Sequence, residues 1–492
     1  MNPNVRLYLL FTVLWRVTGS LSLRNVMSIY VYLLSGGSNS TVGLISGLNG
    51  VVNLALALPA GYFADKVSRQ LLLRIAGGVG VAATLVTVVA VATDKIWLFY
   101  AFNALWGAFE GLQSAPLSAL FADSVPTGGR SGIFSAQYAI SEGSEFVGPL
   151  LTVLLFAGLG NDWEAGPMRV VMYLGMVFGL ASSACLYFFA DDVALGLDSE
   201  AVSLDAVPLD GEEQEEEEED DDGDLVGDVS SDGAELALLA TRGDVAGDAE
   251  VCVVEGTRAG AARQRTTCFG LLTPRAVPFL LVATDLCFAW GAGMTVAYFS
   301  LWLTNEYHLS PIGLSLVVIA GCFATIASTT GAQRISQWFG RLQTSITFKF
   351  SGIACLVTLS IIQPLWLIVV LFVVRVAFAR AGVPLDRSIV MDVVSKEMRG
   401  RWNTFEAIGA VSFTGSAVIG GYLVDATSYR TTFLITAALY SAGTSILIPI
   451  LPFVPRSEKV LRMSTGYAAV GEGEGEGQAD GGTSGGSELE DD

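Results

Sequence analysis

Apolar runs of about twenty residues recur along the chain, and a run of that length crosses the hydrocarbon core of a bilayer as a helix. "LLLRIAGGVGVAATLVTVVAVAT", residues 71–93, is one of them. The composition agrees, since 52% of the residues are hydrophobic and 15% are charged. An ordinary soluble chain carries about 25% charge. The chain therefore reads as an integral, multi-pass membrane protein.

Hydropathy predicts twelve spans, at 7–34, 42–63, 71–93, 96–120, 132–157, 168–190, 276–303, 311–333, 342–362, 365–388, 403–424 and 430–452. The first run is too long for a signal-peptide core and is expected to stay as a span. Six runs precede one long polar segment and six follow it. The expected organisation is an N-terminal six-helix bundle over 1–190, an acidic disordered linker over 191–275, a C-terminal six-helix bundle over 276–454, and an acidic Gly-rich disordered tail over 455–492. The fold class is an all-α membrane protein with twelve transmembrane helices in two pseudo-symmetric bundles.

The formal net charge of −21 belongs to the appendages. Residues 191–275 hold 24 acidic and 5 basic side chains, and "EEQEEEEEDDD" within them reads as a solvated, self-repelling stretch. Lys66, Arg69, Arg130, Arg334, Arg341, Lys396, Arg399 and Arg401 fall in connectors on one side, whereas the other side holds Lys95, Arg169 and Arg430. The excess of positive charge on inner connectors predicts that both termini and the linker are cytoplasmic.

Six cysteines are scattered without a CxxC pair, and His308 is the single histidine. No metal cluster, cofactor or nucleic-acid partner is expected. No GxxxxGK[ST] loop is present to drive the protein with ATP, and no enzyme activity is expected. Asn39 opens an "NST" sequon on a connector of some seven residues, too close to the membrane for efficient glycosylation.

The two halves repeat each other. "ADSVPTGGRSGIFSAQY" after span four matches "MDVVSKEMRGRWNTFEA" after span ten, which sets Asp123 with Asp392 and Arg130 with Arg399. The same register places Gly61 near Gly331 and Trp106 opposite Arg375. A parallel repeat of six-helix halves is one plan of secondary transporters.

Ionisable residues inside a span are costly and mark function or a partner. They are Arg16 and Arg24 in span one, Glu110 in span four, Glu142 and Glu145 in span five, Asp285 in span seven, Lys349 in span nine, Arg375 and Arg380 in span ten, and Glu406 in span eleven. Glu142 and Glu145 are three residues apart and share a helix face, as proton carriers or as partners of Arg24 or Lys349. Trp106, Trp290, Trp302 and Tyr298 are candidates to line a cavity or to pack.

Between spans two and three stands "GYFADKVSR", in which Gly61, Ala64, Asp65, Lys66 and Arg69 match the major facilitator superfamily signature G-x-x-[AS]-D-[RK]-x-G-[RK], with Ser68 at its second glycine. Gly148-Pro149 in span five is similar to that family's kink motif. Outside the linker and tail, nearly the whole chain resembles the family. Span four, "FNALWGAFEGLQSAP", lacks the arginine that members often carry there, and Arg375 of the second half is its repeat counterpart.

The resemblance implies that spans one, four, seven and ten line a central cavity. Arg16, Glu110, Asp285 and Arg375 thereby become substrate or coupling candidates, flanked by Glu142 and Glu145; a pairing of Arg375 with Glu110 is the structural alternative. It also implies a cytoplasmic gate of Gly61, Asp65, Lys66 and Arg69, supported by the pairs Asp123/Arg130 and Asp392/Arg399. The expected function is secondary transport of a small organic solute by alternating access, with protons as the candidate coupling ion and a monomer in the bilayer. A non-transporting nutrient sensor and an uncoupled uniporter are the alternatives.

Overall fold

A computed structural model of the chain describes residues 2–64, 66–125, 130–194, 277–393 and 399–451, nearly all of them helical. Most of the acidic linker and the tail lie outside these residues. Helices α1 (Pro3–Thr18) and α2 (Asn25–Leu34) form the first span, and α3 (Asn39–Ala64), α4 (Arg69–Thr93) and α5 (Ile96–Asp123) the next three. The fifth is built from α6 (Arg130–Glu145) and α7 (Val147–Leu159), and the sixth is α8 (Ala165–Cys185). After the linker come α9 (Val277–Tyr307), α10 (Pro311–Phe339), α11 (Arg341–Ile361), the pair α12 (Leu365–Ala381) and α13 (Val383–Val393), α14 (Arg399–Ala426) and α15 (Tyr429–Ile446). Among the described residues, nine helical stretches are long and apolar enough to cross a membrane.

Three spans that hydropathy reads as continuous are broken. The first contains a π-helical turn, Gly19–Leu23, between α1 and α2. The fifth breaks at Phe146, so that Pro149 falls in the first turn of α7, where a missing N–H costs no intrahelical bond. The tenth breaks at Gly382, and Pro384 falls in the first turn of α13 in the same way. A hydropathy window of span length averages over these breaks, although charged residues (Arg24, Glu145 and Arg380) stand beside them.

In the first bundle α5 packs between α3 and α4, α4 meets α8, and α1 lies against α6 and α8. In the second, α9 packs on α14 and α15, and α12 on α10 and α11. The bundles join where α3 crosses α14 and where α7 crosses α10. The sequence repeat sets α3 in register with α10 and α7 with α14, so each junction is the image of the other. Exposed Trp97 and Trp366 at one end, and Trp338 at the other, sit where indole rings anchor in the headgroup layer.

One end carries the connectors after α3 and α8 and is called the linker end; the opposite one is the far end. At the far end the halves are locked. Gly43 of α3 lies so near α14 that a Cβ would stand 2.6 Å from the carbonyl oxygen of Ala417. Small residues permit this backbone approach, which is the main source of close helix packing in lipid. Asp425 accepts from the backbone N–H of Asn39 at 3.1 Å and of Ser40 at 2.8 Å, capping α3 from the other bundle. Trp163 donates to the carbonyl of Leu309 at 2.8 Å, and Asn161 accepts from Ile312 N–H at 3.0 Å. At the linker end, a Cβ on Gly61 would touch only Ala115 of its own bundle, at 4.0 Å, and one on Gly331 would meet nothing within 4 Å.

Candidate functional site

The breaks in spans one, five and ten bring charged side chains together near mid-height. Arg16 lies in the last turn of α1 and Arg24 just after the π turn. Glu145 ends α6, and Arg380 lies in the last turn of α12. Gly148 allows this convergence, since a Cβ there would stand 2.7 Å from the carbonyl carbon of Ser20 in the π turn. Counting 1.5 Å per helical residue, these groups lie about 15–21 Å from the nearer end of their spans.

Both carboxylate oxygens of Glu145 are occupied. Oε2 accepts from Arg16 at 3.4 Å, and Oε1 is ion-paired with Arg24. The Glu145 side chain is 11% exposed, whereas Arg24 is 48% exposed, so the pair faces an open space from a buried base. Glu142, one turn before, reaches Arg380 of the second bundle at 3.7 Å. Glu110 accepts from Asn53 Nδ2 at 3.2 Å and stands within electrostatic range of Arg24. Six charged groups from both halves therefore share one region.

Not every cavity candidate joins it. Arg375 is buried inside the second bundle, its guanidinium 4.8 Å above the ring of Phe299 and hydrogen-bonded to Tyr440. Glu110 and Arg375 have different partners and do not tie the halves together. Asp285 is exposed on α9. Trp106, Trp302 and Tyr298 are fully buried packing residues, while Trp290 is exposed.

Of the gate residues, Asp65 and the side chains of Arg130, Asp392 and Arg399 lie outside the described residues. Arg69 is ion-paired with Asp123 inside the first bundle, and Lys66 reaches back to the hydroxyl of Tyr62 on its own helix. Asp191, at the root of the linker, accepts from Gln70 N–H at 3.2 Å and so caps α4 beside Arg69.

Of the two partners that the sequence offers the glutamates, Arg24 pairs with Glu145, whereas Lys349 pairs elsewhere; Arg380 stands out only as a charged residue in a span, and Asn53 and Asp386 do not stand out. Asn49 and Asn53 are four apart on the otherwise apolar α3, a spacing that could have flagged them. Asp386 is buried against Lys349 Nζ at 2.8 Å and Ser345 Oγ at 2.6 Å. The sequon residue Asn39 is 5% exposed, and its Nδ2 is bonded to Asp425. Among the described residues no group of three His, Cys, Asp or Glu side chains is placed to hold a metal ion.

Comparison with known proteins agrees with this architecture. The model of the Major Facilitator Superfamily matches residues 14–415 and 286–466. The MFS-type transporter YqjV of Bacillus subtilis is 28% identical over 171 residues, which are 34% of this chain and 39% of that protein. The chain thus matches well under half the length of that curated relative. A bacterial homologue of the iron transporter ferroportin, solved in an inward-facing state, superposes with a TM-score of 0.61 at 13% identity, covering 90% of this chain and 98% of its own. A D-xylose–proton symporter gives 0.59 at 12% identity, covering 92% and 97%. At such identities the likeness is one of fold. With the family model spanning both bundles, the chain belongs to the Major Facilitator Superfamily.

Proposed function

We propose that this protein is a secondary transporter that moves a small organic solute by alternating access, the two bundles rocking about the mid-height charge cluster. The observation that carries this reading is the pairing of that cluster with an end locked by Asp425, Gly43 and Trp163. A polar region sealed from one side and reached from the other is what one half-cycle requires. The basic connectors favour a cytoplasmic linker end, with both termini and the linker on that side. The state described here is then inward-open.

In this reading residues 1–190 and 276–454 are the moving bundles, joined by the 191–275 linker and followed by the 455–492 tail. The Asp65–Arg69 loop latches the linker end in the opposite state, with Arg69 parked on Asp123 meanwhile. Gly61 and Gly331, which have room around them now, become contact points when that end closes.

Spin labels test the cycle. One pair, at Ser38 and Thr427, spans the far end; another, at Val67 and Gln337, spans the linker end, in a chain freed of its native cysteines. In proteoliposomes the first distance is expected to lengthen in the subpopulation where the second shortens. Two distances that never change together would remove the alternating-access reading.

A further inference from the structure

The charge cluster suggests what the cargo carries. This inference rests on the transport reading and names the cargo's chemistry. Three guanidiniums, of Arg16, Arg24 and Arg380, face three carboxylates, of Glu110, Glu142 and Glu145. These six side chains balance one another in charge, which lowers the cost of holding each of them inside the membrane layer. Arginine stays protonated under all ordinary conditions, so only the carboxylates can exchange a proton.

Glu145 is the exchangeable member. It holds two arginines that would otherwise present a fork of donors to the open space, the geometry that binds carboxylate, phosphate or sulfonate oxygens best. Arg24 is half-exposed toward that space, while the Glu145 side chain is 11% exposed beneath it. We propose that the Arg16–Arg24 pair is an anion site in which an anionic group of the cargo replaces the Glu145 carboxylate.

Glu145, displaced and still buried, takes one proton from the water of the open side, because a bare carboxylate is costly there. The charge of the cluster is unchanged by loading: one anionic charge and one proton enter together and leave together. The groups facing Glu145 are Arg16 on α1, Arg24 at the start of α2, Glu110 on α5, and Glu142 and Tyr138 on α6 itself. Arg380 on α12, Arg387 on α13 and Cys322 on α10 border the same region.

Methanesulfonate is a suitable probe, since its charge is constant over the useful pH range and, unlike sulfate, it is not strongly excluded from protein surfaces. Its binding to the purified full chain is read from the shift in thermal unfolding midpoint, against chloride at equal ionic strength. In the wild type the apparent affinity should rise about tenfold per unit fall in pH, the slope of one linked proton. In Glu145→Gln the affinity should be high and independent of pH. Arg24→Gln should bind no more than chloride does, with Arg16→Gln as the second variant should that chain not fold.

No wild-type binding at any pH, a flat pH dependence, or undiminished binding by both arginine variants would overturn the assignment. If binding fails while the spin-label distances still exchange, the anion site alone is wrong. Static distances would instead remove the transport reading on which it rests.

Discussion

At Lys349 the second bundle buries a full charge, and its partner explains how. Nζ lies 2.8 Å from Asp386 Oδ2 and 4.8 Å over the ring of Phe288, which stacks on Tyr440. Breaking such a pair from one side strands a charge and costs about 3–5 kcal/mol, whereas replacing both partners by apolar groups can be neutral. Asp386→Ala should therefore destabilise the protein strongly, and Lys349→Met combined with Asp386→Leu should recover most of the loss, as measured by thermal unfolding in detergent.

Asp425 differs because it lies at the far end, beyond the membrane span. Burial works against its ionised form, but hydrogen bonds from Ser40 and Asn39 outweigh burial and hold the carboxyl below its ordinary value. A depressed folded value means that its stabilisation is fully present above the unfolded carboxylate value of about 3.9 and fades as pH falls through the folded one. The far-end lock should hold unchanged from neutral pH to about 4 and weaken only in stronger acid. Asp425→Ala removes hydrogen bonds worth about 1.5–3 kcal/mol each for a charged acceptor, less what water returns at this partly exposed site. The Ser38–Thr427 label pair should report a wider far end in that variant at every pH.

At the scale of helices, the broken spans set the site. Span five can lie against the π turn of span one only where Gly148 has no side chain, and Arg16, Arg24 and Glu145 meet as a result. Gly148→Val should force α7 away from Ser20, separate Glu145 from its arginines, and lower both the unfolding midpoint and any transport. Gly43→Val belongs to the same scale with a different outcome. A branched side chain there would collide with Ala417 and Tyr298 when the far end closes, yet it stands clear when that end opens. That variant should stay folded, with the far-end label distance shifted toward the longer population.

Across the whole molecule, two junctions related by the internal repeat join the bundles, and one buried apolar cluster runs through both halves. Much of this was legible in the chain. Apolar runs of bilayer length fixed the class, because burying backbone polar groups in lipid leaves a hydrophobic run no alternative to helix. The repeat of Asp123–Arg130 as Asp392–Arg399 announced two equivalent halves, and charge inside apolar runs named Arg16, Glu110, Glu142 and Glu145. What the linear order could not supply is which charge meets which. Arg375 and Arg380 are five residues apart on one helix, yet one is buried against Phe299 and Tyr440 while the other crosses to Glu142. Helix rotation, the three breaks and the close crossing at Gly148 decide that, and they depend on packing between residues more than a hundred positions apart. Hydrophobic length is a local property and can be read along the chain, whereas the partner of a buried charge is a property of the assembled bundle.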